Sequence, residues 1–157
     1  MKTLILYYSY GENTKKVAEM IHHEILSDIA EIETVKPYIG DYNSVVDQGQ
    51  REVNIGFTPE IKPLTVDITS YDSIILGTPV WWYTFAPAVK TFLSDSNLAG
   101  KVVYPFATNA GWLGHTFQDF ETICTSATVK EGMNIKFNKN RLITPETEIK
   151  NWVKSIH

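Results

Sequence analysis

Three polar loops, each directly following an apolar run, constrain this sequence more than any other feature. The apolar runs are typical of strands buried on both faces. The loops are Ser9-Tyr10-Gly11-Glu12-Asn13-Thr14, Thr78-Pro79-Val80-Trp81-Trp82-Tyr83 and Thr108-Asn109-Ala110-Gly111-Trp112. In an open parallel sheet, ligands bind beyond the carboxyl ends of the strands. We therefore expect the loops to meet at one sheet edge, where their polar groups and aromatic rings suit a flat, phosphorylated cofactor.

The alternation of apolar and amphipathic segments predicts an α/β fold in a single domain, residues 1–157. Strands are predicted at 2–8, within 30–35, at 73–78, at 101–107 and within 134–137. Helices are predicted from the first loop to about 27 and at 42–51, 86–93, 116–125 and 145–155. This order favours a three-layer sandwich, a five-stranded parallel sheet with helices on both faces. The pattern is weakest between residues 38 and 70.

Composition narrows the function classes. The formal charge is −4, from 18 acidic and 14 basic residues, which argues against nucleic-acid binding and favours a basic protein partner. No apolar run approaches the roughly 18 residues of a membrane span, and the N-terminus lacks the pattern of a signal peptide. Cys124 is the only cysteine, which excludes an internal disulfide and fits a reducing cytoplasm. We expect a cytoplasmic protein with no metal site.

The first loop offers a phosphate site without a cation. It lacks the Gly-rich patterns of nucleotide triphosphatases and of dinucleotide folds. Ser9 and Thr14 supply hydroxyls, Asn13 an amide and Gly11 a close turn, while the following helix begins with free N–H groups. The alternative is that Ser9, Asn13 and Thr14 only cap this helix.

The other two loops are rich in aromatic residues. Trp81, Trp82 and Tyr83 follow one another, and Trp112 stands in the third loop. Rings at the end of a strand could stack on a planar heterocycle. The alternative, that one or two of them turn into the core, stays open. Cys124 and His115 are interpreted as a core residue and a helix-start residue.

These motifs resemble those of the flavodoxins over nearly the whole chain. The resemblance is carried by S-Y-G-E-N-T after the first strand, by T-P-V-W-W with Y-D before its strand, and by F-A-T-N-A-G after the fourth strand. The sequence is most similar to small flavodoxin-like proteins with a G-x-P-V-W-W loop. The first departure from the family pattern is Gly11 and Glu12, at positions where the family commonly has Thr and Gly. The second is the segment Asn109-Ala110-Gly111-Trp112-Leu113-Gly114, which is bulkier than the small, Gly-rich loop common in this branch. We expect the Glu12 carboxylate to point away from a bound phosphate.

The resemblance implies a flavodoxin fold with strand order 2-1-3-4-5 and one non-covalently bound FMN. Its phosphate would lie on Ser9 to Thr14, and its ring between the Pro79–Tyr83 and Thr108–Trp112 segments. No residue of the protein is then needed as a catalytic acid, base or nucleophile.

Three functions follow from this reading. The first is a one-electron carrier that serves redox partner proteins as a monomer or weak dimer. The second is an FMN-dependent NAD(P)H reductase of quinones or nitro compounds, which needs an open ring face. The third is a binding module that has lost FMN, and the only feature that suggests it is Glu12 in the phosphate loop.

Overall fold

The computed structural model describes residues 2–156, in which a central sheet lies between two layers of helices. The strands are β1 Thr3–Tyr7, β2 Asp28–Glu31, β3 Ser73–Trp81, β4 Thr84–Phe85, β5 Val102–Asn109, β6 Thr128–Val129, β7 Met133–Asn138 and β8 Arg141–Leu142. The helices are α1 Asn13–Glu24, α2 Tyr42–Ile55, α3 Pro87–Asp95, α4 Thr116–Ile123 and α5 Glu146–Lys154, with a short 3₁₀ turn at Ile68–Ser70.

The main sheet has the predicted order. Its parallel strands run β2-β1-β3-β5-β7, which confirms the order 2-1-3-4-5 for the five predicted strands. Three two-residue strands were not predicted: β8 pairs antiparallel with β7, β4 pairs antiparallel with β3, and β6 pairs parallel with β5. The positions of such short strands depend on their pairing partners, because two residues are too few to show a periodic hydrophobic pattern.

Two boundaries differ from prediction in ways that matter. The second strand was placed within 30–35, but β2 occupies Asp28–Glu31, and Thr34 instead forms an isolated bridge with Ile61. The helix predicted at 42–51 continues to Ile55 and ends at Gly56, whose φ of 68° is the left-handed conformation that glycine adopts readily. The region with the weakest sequence pattern therefore holds a helix of 14 residues.

The sheet separates two hydrophobic clusters. Leu4 and Leu6 of β1 pack with side chains of α3 and α4, whereas Ile5 and Tyr7 pack with α1 and α5 on the opposite face. Cys124 belongs to the first cluster, and burial raises the pKa of its thiol to about 11, so it is an inert core residue. No helix within residues 2–156 is long and apolar enough to cross a membrane.

Candidate functional site

The first loop leads into the N-terminus of α1, whose N-cap residue is Glu12, and the Ser9 side chain binds one N–H group of the first turn. The Ser9 hydroxyl accepts a hydrogen bond from Lys15 N (3.2 Å) and donates one to Gly11 O (2.9 Å). Glu12 is exposed, and its side chain makes no capping bond. Within residues 2–156, the backbone N–H groups of residues 11–14 donate to no protein acceptor. They are free donors at the positive end of a helix.

Asn13 and Thr14 use their side chains to hold other elements in place. The Asn13 amide donates to Lys139 O in the β7–β8 turn (2.8 Å). The hydroxyls of Thr14 and Thr108, both buried, share a hydrogen bond of 2.8 Å. The predicted first and third loops are thus joined directly. Since Ser9, Asn13 and Thr14 use their side chains within the protein, the backbone N–H groups of the first loop are the donors that remain available to a phosphate.

We expect this threonine pair to show strong coupling in a double-mutant cycle. Thr14→Val or Thr108→Val alone should lower the free energy of unfolding by about 1–2 kcal/mol, because each leaves a buried hydroxyl without its partner. The double variant replaces both hydroxyls with methyl groups and should lose less than the sum. Urea unfolding measures the three values, and additive losses would show that the pair does not act as a unit.

The second predicted loop is mostly strand. β3 continues through Trp81, so only Trp82 and Tyr83 form the two-residue turn before β4. Both have positive φ, 50° and 70°. Two-residue hairpins of this kind favour Asn-Gly, because bulky side chains strain the left-handed region. The fold must therefore hold these two aromatic residues in place.

The connection between β5 and α4 provides that support. His115 N donates to Tyr83 O (2.9 Å), and Gly114 lies so close to Tyr83 that a Cβ there would overlap the Tyr83 backbone. The Asp119 carboxylate accepts a hydrogen bond from the Thr84 hydroxyl (2.5 Å) and contacts His115 Nδ1 at the same distance. The hairpin and this connection form one assembly, and His115 stands at the N-cap of α4 as predicted.

A cavity of about 380 Å³ opens between this hairpin and α2. Of the predicted site residues, six line it: Tyr10, Val80, Trp81, Trp82, Tyr83 and Trp112. Four lining residues of α2 were not predicted: Tyr42, Val45, Val46 and Gly49. The spacing of these four on one helix face was visible in the sequence, but nothing there showed what the face covers.

Helix α2 fits closely against the two indoles. A Cβ at Gly49 would lie 3.2 Å from Cε3 of Trp81, so this mid-helix glycine makes room for the ring. Trp82 Nε1 donates to Val46 O (3.0 Å). Trp81 also makes edge-to-face contacts with Tyr8, Tyr10 and Tyr38, at centroid distances of 6.0, 6.0 and 4.9 Å. The Trp81 ring is fixed from several sides.

The third predicted loop is ordered by Asn109. Its amide donates to Asn134 Oδ1 (2.6 Å), and its side-chain oxygen accepts from Gly111 N (2.9 Å). Ala110 and Trp112 are exposed, and Trp112, at 70% exposure, stands at the mouth of the cavity. Of the other predicted residues, Pro79 lies within β3, and Thr78 is buried and accepts from Ala86 N (3.0 Å). Thr78 and Thr108 therefore support the site from within the fold.

The arrangement fits a planar group that carries a phosphate. Free N–H donors stand at the α1 N-terminus, and an aromatic cavity lies beside them at the carboxyl ends of the parallel strands. This combination defines a flavodoxin-like flavoprotein. A flavodoxin family model matches residues 2–156, and the chain belongs to that family. The membership also confirms FMN as the cofactor that the resemblance implied.

Solved structures agree with this assignment. A structure assigned as a flavoprotein from Bacteroides eggerthii is 29% identical, with a TM-score of 0.83, over 99% of this chain and 97% of that one. A flavoprotein from Lactobacillus acidophilus, solved in complex with FMN, is 32% identical with a TM-score of 0.76, over 85% and 92%. The apo form of an NADH:FMN oxidoreductase is 16% identical with a TM-score of 0.62, over 99% and 88%, and shows only the shared fold. Among curated proteins, none matches this sequence significantly.

Proposed function

We propose that this flavodoxin carries single electrons between partner proteins by means of one non-covalently bound FMN. The observation that carries the proposal is the composition of the cavity. Among the described residues, its lining consists of six tyrosine or tryptophan rings, three valines and one glycine, and includes no Lys, Arg, His, Asp or Glu. Five of the rings come from the predicted loops, and the sixth, Tyr42, comes from α2. Such a lining suits a flat ring and offers it no carboxylate, imidazole or ammonium group as a catalytic acid or base.

The two parts of the site would divide the binding of FMN between them. The free N–H groups of residues 11–14 suit the phosphate, because they donate without a counter-charge and lie at a helix N-terminus. The aromatic cavity suits the ring, with Trp81 in its wall and Trp112 at its mouth. FMN supplies the redox chemistry when bound, and the protein supplies orientation, exclusion of water and electrostatics.

The charge of the protein favours a low reduction potential. The formal charge is −4, and the cavity lining includes no cationic side chain to compensate a negative charge gained on reduction. Both features disfavour an anionic reduced ring. We extend the proposal to a redox partner with a basic contact surface, which would meet the exposed aromatic residues at the cavity mouth, Tyr42, Tyr83 and Trp112.

An anaerobic redox titration of the FMN-loaded protein, followed by visible absorption, tests this function. We expect two separate one-electron steps and no sustained NADPH oxidation when a quinone is added. A single two-electron step with FMN-dependent turnover would overturn the carrier in favour of the quinone or nitro-compound reductase. Protein that remains colourless after incubation with excess FMN would overturn both and identify a binding module.

A further inference from the structure

Glu52 is a buried carboxylate behind the aromatic cavity, and the proposed electron carrier has no evident need for it. The residue is 8% exposed. Its Oε1 accepts a hydrogen bond from the Tyr38 hydroxyl (2.5 Å), and its Oε2 accepts from Gln48 Nε2 (2.8 Å). Neither salt bridge found within residues 2–156 involves Glu52. Burying a carboxylate with only neutral partners costs free energy, so we expect Glu52 to have a role that offsets this cost.

The Glu52–Tyr38 bond leads to the cavity wall. The Tyr38 ring lies 4.9 Å from the Trp81 ring at an interplanar angle of 74°, and Trp81 lines the cavity. Tyr38 belongs to a connection without regular secondary structure, so its hydrogen bond to α2 fixes its position. Burial, followed by this bond, raises the pKa of Tyr38, and the phenol therefore stays a donor.

Helix α2 thus reaches Trp81 by two routes from one helix face. Gly49, one turn before Glu52, contacts the indole directly, and Glu52 acts through Tyr38. A carboxylate suits the second route because it only accepts, so it can receive Tyr38 and Gln48 at once. Bonds to an ionised acceptor are also stronger than those between neutral groups.

We propose that Glu52 is a positioning residue that, through Tyr38, fixes the orientation of the Trp81 indole and with it the wall that the flavin ring contacts. This role rests on the proposed FMN site. It concerns a side chain that does not itself line the cavity. The same contacts could serve only to fasten the 36–41 connection to α2, so the test must separate positioning from stability.

The test compares variants of Glu52 and Tyr38 with a matched control by FMN fluorescence titration and by near-ultraviolet circular dichroism of the FMN-free protein. We expect Glu52→Ala and Tyr38→Phe each to weaken FMN binding by about tenfold, the equivalent of one good hydrogen bond. Glu52→Gln should stay within about threefold of the parent, because its amide oxygen accepts from Tyr38 and its NH₂ donates to a flipped Gln48 amide. The dichroism band of Trp81, identified from Trp81→Phe, should change in Glu52→Ala.

Thr91→Val is the matched control. The Thr91 hydroxyl is buried and donates to Pro59 O (2.7 Å), so its loss removes another hydrogen bond beneath the same region without touching Trp81. Equal FMN affinities in Glu52→Ala and Thr91→Val would overturn the positioning role. If Glu52→Ala does not fold, a Tyr38→Phe variant that binds FMN as well as Glu52→Gln would overturn it.

The two proposals can fail separately. If the parent protein does not bind FMN, the proposed function fails, and the dichroism of the FMN-free protein decides the positioning role. An altered Trp81 band in Glu52→Ala, absent in Thr91→Val, would then support it. An unchanged band would overturn it.

Discussion

Gly114→Ala is expected to weaken FMN binding by about a hundredfold, which corresponds to about 2.7 kcal/mol. Gly114 has a φ of 60°, and an added Cβ would lie 2.5 Å from Cα of Tyr83. The obstacle is backbone, so the side chain cannot simply rotate away. The hairpin must move, and the bond from His115 N to Tyr83 O must lengthen or break. Two walls of the proposed ring site would then separate, which titration of FMN fluorescence will measure.

Gly100→Ala separates this steric effect from backbone strain. Gly100 has a φ of 76°, similar to that of Gly114, but an added Cβ would meet no atom within 4 Å. We expect Gly100→Ala to lose about 1 kcal/mol of stability in urea unfolding, with FMN affinity unchanged. If the two variants bind FMN equally well, close contact between Gly114 and the hairpin does not determine the shape of the site.

The parallel strands were predictable because burial on both faces leaves a continuous apolar run. β1 shows this, since all five of its residues are buried and the two clusters share the four from Leu4 to Tyr7. β2 shows the limit. It has four residues, of which only Ala30 is buried, and its bounds are set by pairing with β1. Ile32 is buried just after β2 ends, and because its apolar side chain extends the apolar pattern, the strand was predicted too close to the C-terminus.

The meeting of the three loops at one sheet edge was predictable, and the construction of the cavity beside them was less so. The loops lie together because the parallel strands that they follow end at the same edge. Trp82 and Tyr83 have no local preference for positive φ, so a hairpin turn at these residues could not be inferred; contacts with Gly114 and His115 impose it. Gly49 was the available signal that α2 forms a wall of the cavity. A glycine within a helix costs stability, so its presence indicates that a neighbouring group needs the space.

The wall of the cavity and its mouth should respond differently to loss of an indole. Trp81→Ala is expected to weaken FMN binding by at least about a hundredfold and to lower the free energy of unfolding by about 3 kcal/mol. Trp81 contacts three tyrosines and packs against the core. Trp112 is 70% exposed, so Trp112→Ala should leave stability within about 0.5 kcal/mol of the parent. FMN titration and urea unfolding of both variants measure the contrast.

Trp152→Ala shows whether lost stability alone weakens FMN binding. The Trp152 ring packs edge-to-face on Phe106 at 6.4 Å, beside the hydrophobic cluster on the α1–α5 face of the sheet. Its removal should destabilise the fold and leave FMN affinity unchanged, because no part of it lines the cavity. A Trp152→Ala protein that loses as much FMN affinity as Trp81→Ala would mean that binding reports overall stability. Affinity lost only in Trp81→Ala would instead assign the indole to the wall of the flavin site.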